Sequence, residues 1–324
     1  MYLDFFGFRE PPFELTTNPK YLFLTTKHRE VLSNLWYGIS AQKGVTVLVG
    51  EAGTGKTTLV RAALDLHNVS DGMCVCLNNP TLTRQEFYEF LVHGFQLPSE
   101  CNVSKTRFLF ELHERLIERH RNRALTALIV DEAQSLSLEL LEEIRLLANT
   151  ETDTHKLLPV ILAGQPELAD RLNQPQLRQL KQRISLRCEL QALDTEESAA
   201  YIAWRIKVAG GDPAAAFTRD AIALIFARSK GIPRTISVIC DNALVNGFAL
   251  DCRPVTRELV MEVCRDFDLG NDGEARDETP DHSVAGHNGG PPSQSVDVPK
   301  HQEGKPLSRL LFRSFGERRR FSFF

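Results

Sequence analysis

The feature that most constrains the fold is a glycine-rich loop that lies between an apolar run and a helical pattern. This glycine-rich loop (residues 50–57) reads G-E-A-G-T-G-K-T, and it directly follows the apolar run 45–49. Residues 58–66 continue with a helical pattern. A strand, a glycine loop and a helix in this order are typical of a sheet whose strands alternate with helices. The sequence around the loop therefore predicts an α/β fold.

Four further apolar runs extend this pattern along the chain. They occupy residues 73–77, 127–130, 158–162 and 185–190. These runs are rich in Val, Ile and Leu with little polar alternation, so we expect most of them to be parallel strands buried on both faces. The segments between them show helical periodicity, as in the stripe of Phe108, Leu112 and Leu116. We therefore predict a parallel sheet with flanking helices within residues 1–191.

The patterns change twice in the second half of the chain. Strand patterns stop after residue 190, and three or four helical segments are predicted between residues 195 and 267. Asp194, followed three residues later by Glu197, predicts a capping box at the start of the first helix. We therefore expect a small all-α lid domain over residues 192–268.

The C-terminal part of the chain has a different composition. Gly, Pro, Ser, Asp and His dominate residues 269–299, which contain few aliphatic side chains, so we predict a disordered linker there. Residues 300–324 mix Lys and Arg with Leu and Phe. This basic-aromatic tail is either an amphipathic anchor at a membrane surface or an unstructured end.

The glycine-rich loop also fits the phosphate-binding pattern G-x-x-x-x-G-K-[ST]. Its glycines let successive backbone N–H groups surround phosphate oxygens, and the N-terminus of the following helix attracts anions. We expect Lys56 to reach the β- and γ-phosphates of ATP and the Thr57 hydroxyl to coordinate Mg²⁺. The residues predicted to contact the nucleotide here are Gly50, Glu51, Ala52, Gly53, Thr54, Gly55, Lys56, Thr57 and Thr58.

Two adjacent carboxylates follow the third apolar run. Asp131 and Glu132 come directly after residues 127–130. Asp131 is expected to hold Mg²⁺ through its water shell, and Glu132 to orient and polarise the attacking water. The alternative is a solvated helix start before residues 135–147. Beside a phosphate-binding loop, a Glu next to an Asp favours an ATP-hydrolysing protein over the kinases and GTPases that contain similar loops.

Several motifs together resemble the AAA+ ATPases of the general secretion pathway protein A (ExeA) type, from Met1 to about Phe267. The motifs are Phe5-Phe6-Gly7-Phe8, Pro12-Phe13, Tyr21-Leu22-Phe23, His28-Arg29-Glu30, Leu35-Trp36-Tyr37-Gly38-Ile39, residues 50–57, Asp131-Glu132-Ala133-Gln134, Ala163-Gly164-Gln165-Pro166-Glu167-Leu168 and Gly231-Ile232-Pro233-Arg234. The resemblance implies a P-loop NTPase (AAA+) sheet followed by a helical lid. Related branches include transposition helper ATPases and ATPases of exopolysaccharide gene clusters.

The resemblance assigns roles to further residues. Gln165 looks like the polar sensor between the acidic pair and the γ-phosphate, although Asn or Thr is more usual there. Arg183 looks like an arginine finger that acts in trans in a homo-oligomeric ring such as a hexamer, and Arg178 is the competing candidate. Arg234 looks like the second sensor, a cation on the lid. The segment 18–38 is expected to border the adenine.

The wider function stays open between two classes. The first is a cytoplasmic ATPase that drives an envelope export or exopolysaccharide system, with peripheral contact to the inner membrane through the tail. Family members continue into a membrane span and a peptidoglycan-binding domain, for which we find no counterpart, so we expect only the ATP-driven part of their function. The second is a DNA-binding helper ATPase. A net charge of -4 argues against the whole molecule binding a polyanion but leaves room for a local basic patch.

Overall fold

The computed structural model describes residues 1–16, 18–66, 72–78, 80–102 and 104–269. Five strands form one parallel sheet: β1 (Val45–Gly50), β2 (Met73–Leu77), β3 (Thr126–Val130), β4 (Val160–Gly164) and β5 (Ile184–Leu190). The predicted strands lie within two residues of these bounds at each end. The predicted α/β fold with a parallel sheet and flanking helices is confirmed.

The described residues form thirteen α-helices. They are α1 (Tyr2–Phe6), α2 (Thr26–Ser40), α3 (Lys56–Leu66), α4 (Arg84–Gly94), α5 (Lys105–Arg121), α6 (Leu138–Leu147), α7 (Pro166–Leu172), α8 (Arg178–Lys181), α9 (Thr195–Val208), α10 (Pro213–Ala216), α11 (Arg219–Ser229), α12 (Pro233–Ala249) and α13 (Arg257–Asp266). In the described part of the chain, no helix is both long and apolar enough to cross a membrane.

The strand order brings three loops to one edge of the sheet. The order is β2-β3-β4-β1-β5, so β1 lies between β4 and β5, and β3 lies beside β4. Val49 of β1 pairs with Gly164 of β4, and Val130 of β3 pairs with Leu162 of β4. Because all strands run parallel, the loops that follow β1, β3 and β4 are neighbours at the carboxyl edge, where open α/β sheets bind ligands.

The three central strands of the sheet are buried on both faces, which explains their continuous apolar runs, whereas the edge strands β2 and β5 have exposed residues. Successive side chains of a strand point to opposite faces. Val47 and Val49 pack in a core with helices α4 to α7, whereas Leu48 packs in a second core with Leu35 of α2 and Leu59 of α3. All six residues of β1 are buried. The loop that leaves this strand is therefore held at its base by a rigid element.

Five helices, α9 to α13, follow β5, where three or four were predicted. The additional one is the four-residue α10, which begins at Pro213 and is capped by the Asp212 side chain. A segment this short gives no helical periodicity to read from sequence. The predicted capping box is present, because Asp194 Oδ1 accepts from Glu197 N at 2.8 Å and Glu197 Oε2 accepts from Asp194 N at 3.2 Å.

The Phe-rich start of the chain packs on these later helices. Phe6, Phe8 and Phe13 are buried in one core with residues of α9 to α13. The Tyr2 hydroxyl donates to Asp241 of α12 at 3.0 Å. The described residues form one compact unit, and the division between residues 191 and 192 stays a prediction. Apart from Leu269, the predicted linker 269–299 and the basic-aromatic tail 300–324 lie outside the described residues.

Candidate functional site

The glycine-rich loop turns sharply between β1 and α3. Gly53 and Gly55 have φ angles of 81° and 99°, which is a region that L side chains rarely adopt. Thr54 holds the turn through its hydroxyl, which donates to the Glu51 carbonyl at 2.8 Å. The loop therefore presents its backbone amides at the N-terminus of α3, where partial positive charge favours a phosphate.

The base of the loop is tightly packed and its tip is open. A Cβ on Gly50 would lie 2.6 Å from the Leu190 carbonyl oxygen, so glycine is required where β1 leaves the sheet. Glu51 and Ala52 are exposed at the tip, and Thr58 lines the cavity described below. The fixed base and the open tip leave the loop's concave side accessible to a ligand.

Lys56 is the buried cation of the loop. Its Nζ donates to the carbonyl oxygens of Gly50 at 2.8 Å and Glu51 at 3.0 Å. Burial lowers the pKa of the Lys56 ammonium, and the nearby carboxylates of Glu132 and Asp131 oppose this shift. The ammonium thus lies where it can reach either a carbonyl of the loop or a phosphate bound against it.

Thr57 and Asp131 are in direct contact. The Thr57 hydroxyl donates to Asp131 Oδ2 at 2.5 Å, although 74 residues separate them in the chain. Asp131 leaves the end of β3, where its N–H donates to the Leu77 carbonyl at 2.9 Å, and its Oδ1 accepts from Glu132 N at 3.0 Å. A hydroxyl and a carboxylate are hard oxygen donors of the kind that Mg²⁺ takes in proteins, with water completing its shell. This donor pair fits a shared magnesium ion.

Glu132 is half-buried and lies on the same cavity as Lys56. Its backbone adopts the left-handed conformation, with φ 51° and ψ 38°. Its Oε2 accepts from Gln134 Nε2 at 2.6 Å and from Gln165 Nε2 at 3.2 Å. The hydrogen bond from Gln134 is the main cause that lowers the pKa of Glu132; burial opposes it, and Gln165 and Lys56 lower the pKa further. The pKa shift therefore favours the ionised form of the carboxylate.

Gln165 lies beside the acidic pair. It directly follows β4, and its backbone N–H donates to Gln134 Oε1 at 3.1 Å. Gln134 was part of a motif quoted from the sequence but received no role there. A Gln two residues after a Glu gives no signal of its own, because the contact between the two side chains depends on the backbone conformation at Glu132, which is left-handed.

A cavity of about 360 Å³ unites most of the predicted site residues. Its floor is the glycine-rich loop, and its walls come from the chain start, from the segment predicted to border adenine, and from the helices after β5. The lining residues are Glu14, Leu15, Thr16, Asn18, Tyr21, Leu22, Phe23, His28, Gly53, Thr54, Gly55, Lys56, Thr57, Thr58, Leu59, Glu132, Leu193, Tyr201, Arg205, Pro233, Arg234 and Ser237. Phosphate-binding groups and apolar or aromatic walls therefore share one opening.

Arg234 lies against the glycine-rich loop. Its backbone N–H, at the start of α12, donates to the Gly53 carbonyl at 3.2 Å. A Cβ on Gly53 would come within 2.8 Å of the Arg234 Cβ, so the close approach itself requires glycine. The exposed Arg234 side chain lines the cavity, as a lid cation would.

Arg183 and Arg178 lie away from this cavity. Arg183 immediately precedes β5, whose first residue pairs with Val45 at the start of β1. It therefore lies at the amino edge of the sheet, whereas the glycine-rich loop lies at the carboxyl edge. Both arginines are exposed, and neither lines the cavity. Neither arginine therefore belongs to the cavity of its own chain.

Arg205 is a buried cation of the cavity wall that the sequence did not reveal. Its guanidinium donates to the Pro12 carbonyl at 2.5 Å, the Glu14 carbonyl at 2.9 Å and the Tyr201 hydroxyl at 2.7 Å. It also lies 4.8 Å from the centre of the Tyr21 ring. Arg is seldom buried, and the two backbone carbonyls that it contacts belong to the distant chain start, so no local pattern predicts these contacts.

Comparisons with known proteins agree with this geometry. The AAA domain family matches residues 39–172. General secretion pathway protein A of Aeromonas hydrophila is 42% identical over 250 residues, a match that covers 77% of this chain and 45% of that protein. The chain therefore spans less than half the length of this relative.

Solved structures share the fold at low identity. Cdc6p from Pyrobaculum aerophilum has a TM-score of 0.62 at 17% identity, and the match covers 77% of this chain and 70% of that chain. The ORC2 protein of Aeropyrum pernix has a TM-score of 0.56 at 17% identity, with 79% and 71% covered. Together with the AAA domain and the parallel sheet, the match to the Aeromonas protein shows that this chain is an AAA+ protein of the general secretion pathway protein A type.

Proposed function

We propose that the chain binds MgATP in the cavity above the glycine-rich loop and hydrolyses it. The observation that carries this proposal is the 2.5 Å contact between the Thr57 hydroxyl and Asp131 Oδ2, which joins the loop to the acidic pair at one edge of the sheet. A phosphate loop alone is compatible with simple binding. A metal-binding carboxylate and a second, ionised carboxylate beside it add the groups that hydrolysis needs.

The binding roles follow from position. Lys56 and the amides of the loop hold the phosphates, Thr57 and Asp131 hold Mg²⁺, and Arg234 approaches from α12. The bound ion would neutralise charge on the β- and γ-phosphates. The apolar wall that includes Leu22 and Phe23 suits a purine base, which supports ATP as the ligand.

The catalytic roles concern the attacking water. Glu132 accepts a proton from the water as its oxygen bonds to the γ-phosphorus. The bond from that phosphorus to the bridging oxygen breaks, and ADP and phosphate are the products. Gln165, whose side-chain amide donates to the Glu132 carboxylate at 3.2 Å, is the residue that we propose as the sensor of the γ-phosphate.

Two substitutions separate binding from hydrolysis in a steady-state phosphate release assay combined with nucleotide titration. Lys56→Ala removes the phosphate-binding cation, so we expect ATP binding to fall below detection at micromolar protein. Glu132→Gln removes only the base, so we expect binding to persist while the turnover rate falls by about 100-fold or more. Wild-type hydrolysis that persists in Glu132→Gln at an unchanged rate would contradict the proposal.

We further propose that Arg183 completes the site of a neighbouring subunit in a homo-oligomer. Its exposure and its place at the amino edge of the sheet support action in trans, since it lines no part of its own chain's cavity. An arginine supplied in trans stabilises charge that develops on the transferred phosphoryl group. Arg178 remains the competing candidate.

The cellular role we propose is an ATP-driven conformational change that serves a secretion or exopolysaccharide export system at the cytoplasmic side of the membrane. The name of the Aeromonas relative supports this assignment. A filter-binding titration with duplex DNA tests it against the helper-ATPase alternative. Tight binding by the ATP-loaded chain that weakens steeply with salt would favour the DNA-binding function and overturn the export role.

A further inference from the structure

Gln134 joins the acidic pair to the end of β4 through both ends of its side-chain amide. Its Nε2 donates to Glu132 Oε2 at 2.6 Å, and its Oε1 accepts from the Gln165 backbone N–H at 3.1 Å. The Arg171 guanidinium donates to the Gln134 backbone carbonyl. The residue is therefore fixed at its backbone and at both side-chain polar atoms.

The end of β4 is shaped to admit this amide. A Cβ built on Gly164 would lie 2.8 Å from Gln134 Oε1 and 2.8 Å from Leu168 Cδ2, distances that real Cβ atoms essentially never show. Any side chain at position 164 would displace the amide from its contact with Gln165. The glycine and the glutamine thus form one packed arrangement beside Glu132.

The hydrogen bonds leave one oxygen of the Glu132 carboxylate available. Gln134 and Gln165 both donate to Oε2, and no described residue donates to Oε1. A carboxylate that rotates freely would present either oxygen, in many orientations, to a water molecule. Two donors on the same oxygen restrict that rotation, which is the preorganisation that general-base catalysis requires.

We propose that Gln134 is a positioning residue that fixes the Glu132 carboxylate so that Oε1 meets the attacking water. Gln134 does not line the cavity in the described part of the chain, so it acts through Glu132 and not on the nucleotide. This inference rests on the proposed ATP hydrolysis and assigns a new residue to it. The function of Gln134 is then seen in the rate of the chemical step and not in ATP affinity.

Gln134→Met is the most direct test, because methionine keeps the length and volume of the side chain and removes both polar atoms. With the full-length chain, we expect kcat to fall by about 10- to 100-fold while the KM and the dissociation constant for ATP change by less than about 3-fold. A residue that only filled space would be replaced by methionine without loss of kcat, so this split in kcat and KM separates positioning from packing.

Gln134→Glu provides the second variant. It keeps an oxygen that can accept from the Gln165 N–H, but it removes the donor to Glu132 and brings a second carboxylate to it. We expect at least the loss of kcat seen with methionine. Unchanged ATP binding shows that a variant is folded. The test needs only one of the two variants to be folded.

Gln85→Met is the matched control. Gln85 Nε2 donates to Glu89 Oε1 at 3.1 Å on the exposed face of α4, so this change also removes a Gln-to-Glu hydrogen bond, but far from the cavity. We expect wild-type kcat for it. If a folded Gln134→Met chain keeps wild-type kcat while Glu132→Gln still loses hydrolysis, the positioning role of Gln134 is overturned and the proposed hydrolysis stands. Absence of any wild-type turnover at saturating MgATP would overturn the proposed hydrolysis and this inference with it.

Discussion

At the scale of single residues, close approaches decide what the glycine-rich loop can hold. Gly53 combines a φ of 81° with a contact that no other residue allows, since its Cβ would meet the Arg234 Cβ at 2.8 Å. The backbone N–H of Arg234 donates to the Gly53 carbonyl at 3.2 Å. One glycine therefore shapes the phosphate loop and also sets its distance from α12.

Gly53→Ala should weaken ATP binding by about 10-fold or more. The left-handed conformation alone costs an L-residue about 1–2 kcal/mol, and the clash also displaces Arg234 from the loop. Titration with a fluorescent ATP analogue measures the change. Gly7→Ala is the control, because Gly7 has a φ of 74° with open space around its Cα, so it should affect stability only. Equal ATP affinity in Gly53→Ala and wild type would contradict this account.

The sequence predicted the residues of the loop and the acidic pair but not their packing. The motif specified Lys56 and Thr57 because phosphate chemistry requires those side chains at that spacing. Gln134 and Arg205 were missed because their partners lie on other elements or far along the chain. Contacts of this kind depend on the tertiary fold, which a local pattern does not encode.

At the scale of elements, the chain start and helix α9 are joined across the cavity wall. Arg205 of α9 is buried and donates to the carbonyl oxygens of Pro12 and Glu14. Glu14 and Arg205 both line the cavity. The sequence patterns place the N-terminal residues in the predicted sheet domain. The structure shows that Arg205, on a helix that follows the last strand, holds them in place.

Arg205→Met should lower the free energy of unfolding by about 2–4 kcal/mol, because buried carbonyl groups lose charged hydrogen-bond donors. Since the same contacts hold the cavity wall, ATP affinity should fall as well. Thermal or denaturant unfolding measures the first effect, and nucleotide titration the second.

Lys207→Met is the control for this change, since Lys207 is exposed on the same helix. We expect it to leave both quantities near their wild-type values. A chain with Arg205→Met that matches wild type in stability and ATP affinity would show that the wall does not depend on this cation.

The element patterns were the most predictable part of the fold. Strands β1, β3 and β4 were found because each is a continuous buried run, and the Asp194 capping box because its two residues stand at fixed spacing. The short α10 was missed, since four residues carry no periodicity. The packing of Phe6 and Phe8 on the later helices was also missed, because aromatic residues at a chain start do not indicate which core they join.

At the scale of the whole molecule, the site within one chain is incomplete if hydrolysis needs an arginine finger. Arg183 and the glycine-rich loop stand at opposite edges of the sheet, separated along the length of β1. Six residues of extended strand span about 20 Å, which no arginine side chain can cross. Assembly of several chains would supply the missing cation.

ATP turnover per chain should therefore rise with protein concentration and reach a plateau as the oligomer forms. Arg183→Ala should keep ATP binding within about 3-fold of wild type and reduce the plateau rate by about 100-fold or more. Arg178→Ala is measured in the same assay. Only the variant that lacks the arginine finger should lose the plateau rate of ATP turnover, so the comparison identifies the finger. A turnover rate per chain that stays constant down to nanomolar protein would contradict action in trans.

The central claim is that the Thr57 hydroxyl and the Asp131 carboxylate share one magnesium ion bound to ATP. The most direct test is the ratio of ATP dissociation constants measured without and with Mg²⁺, in the wild type, Thr57→Val and Asp131→Asn. We predict a ratio well above one for the wild type and a ratio near one for both variants, since each change removes an oxygen donor from the ion. Full magnesium dependence in both variants would contradict the account.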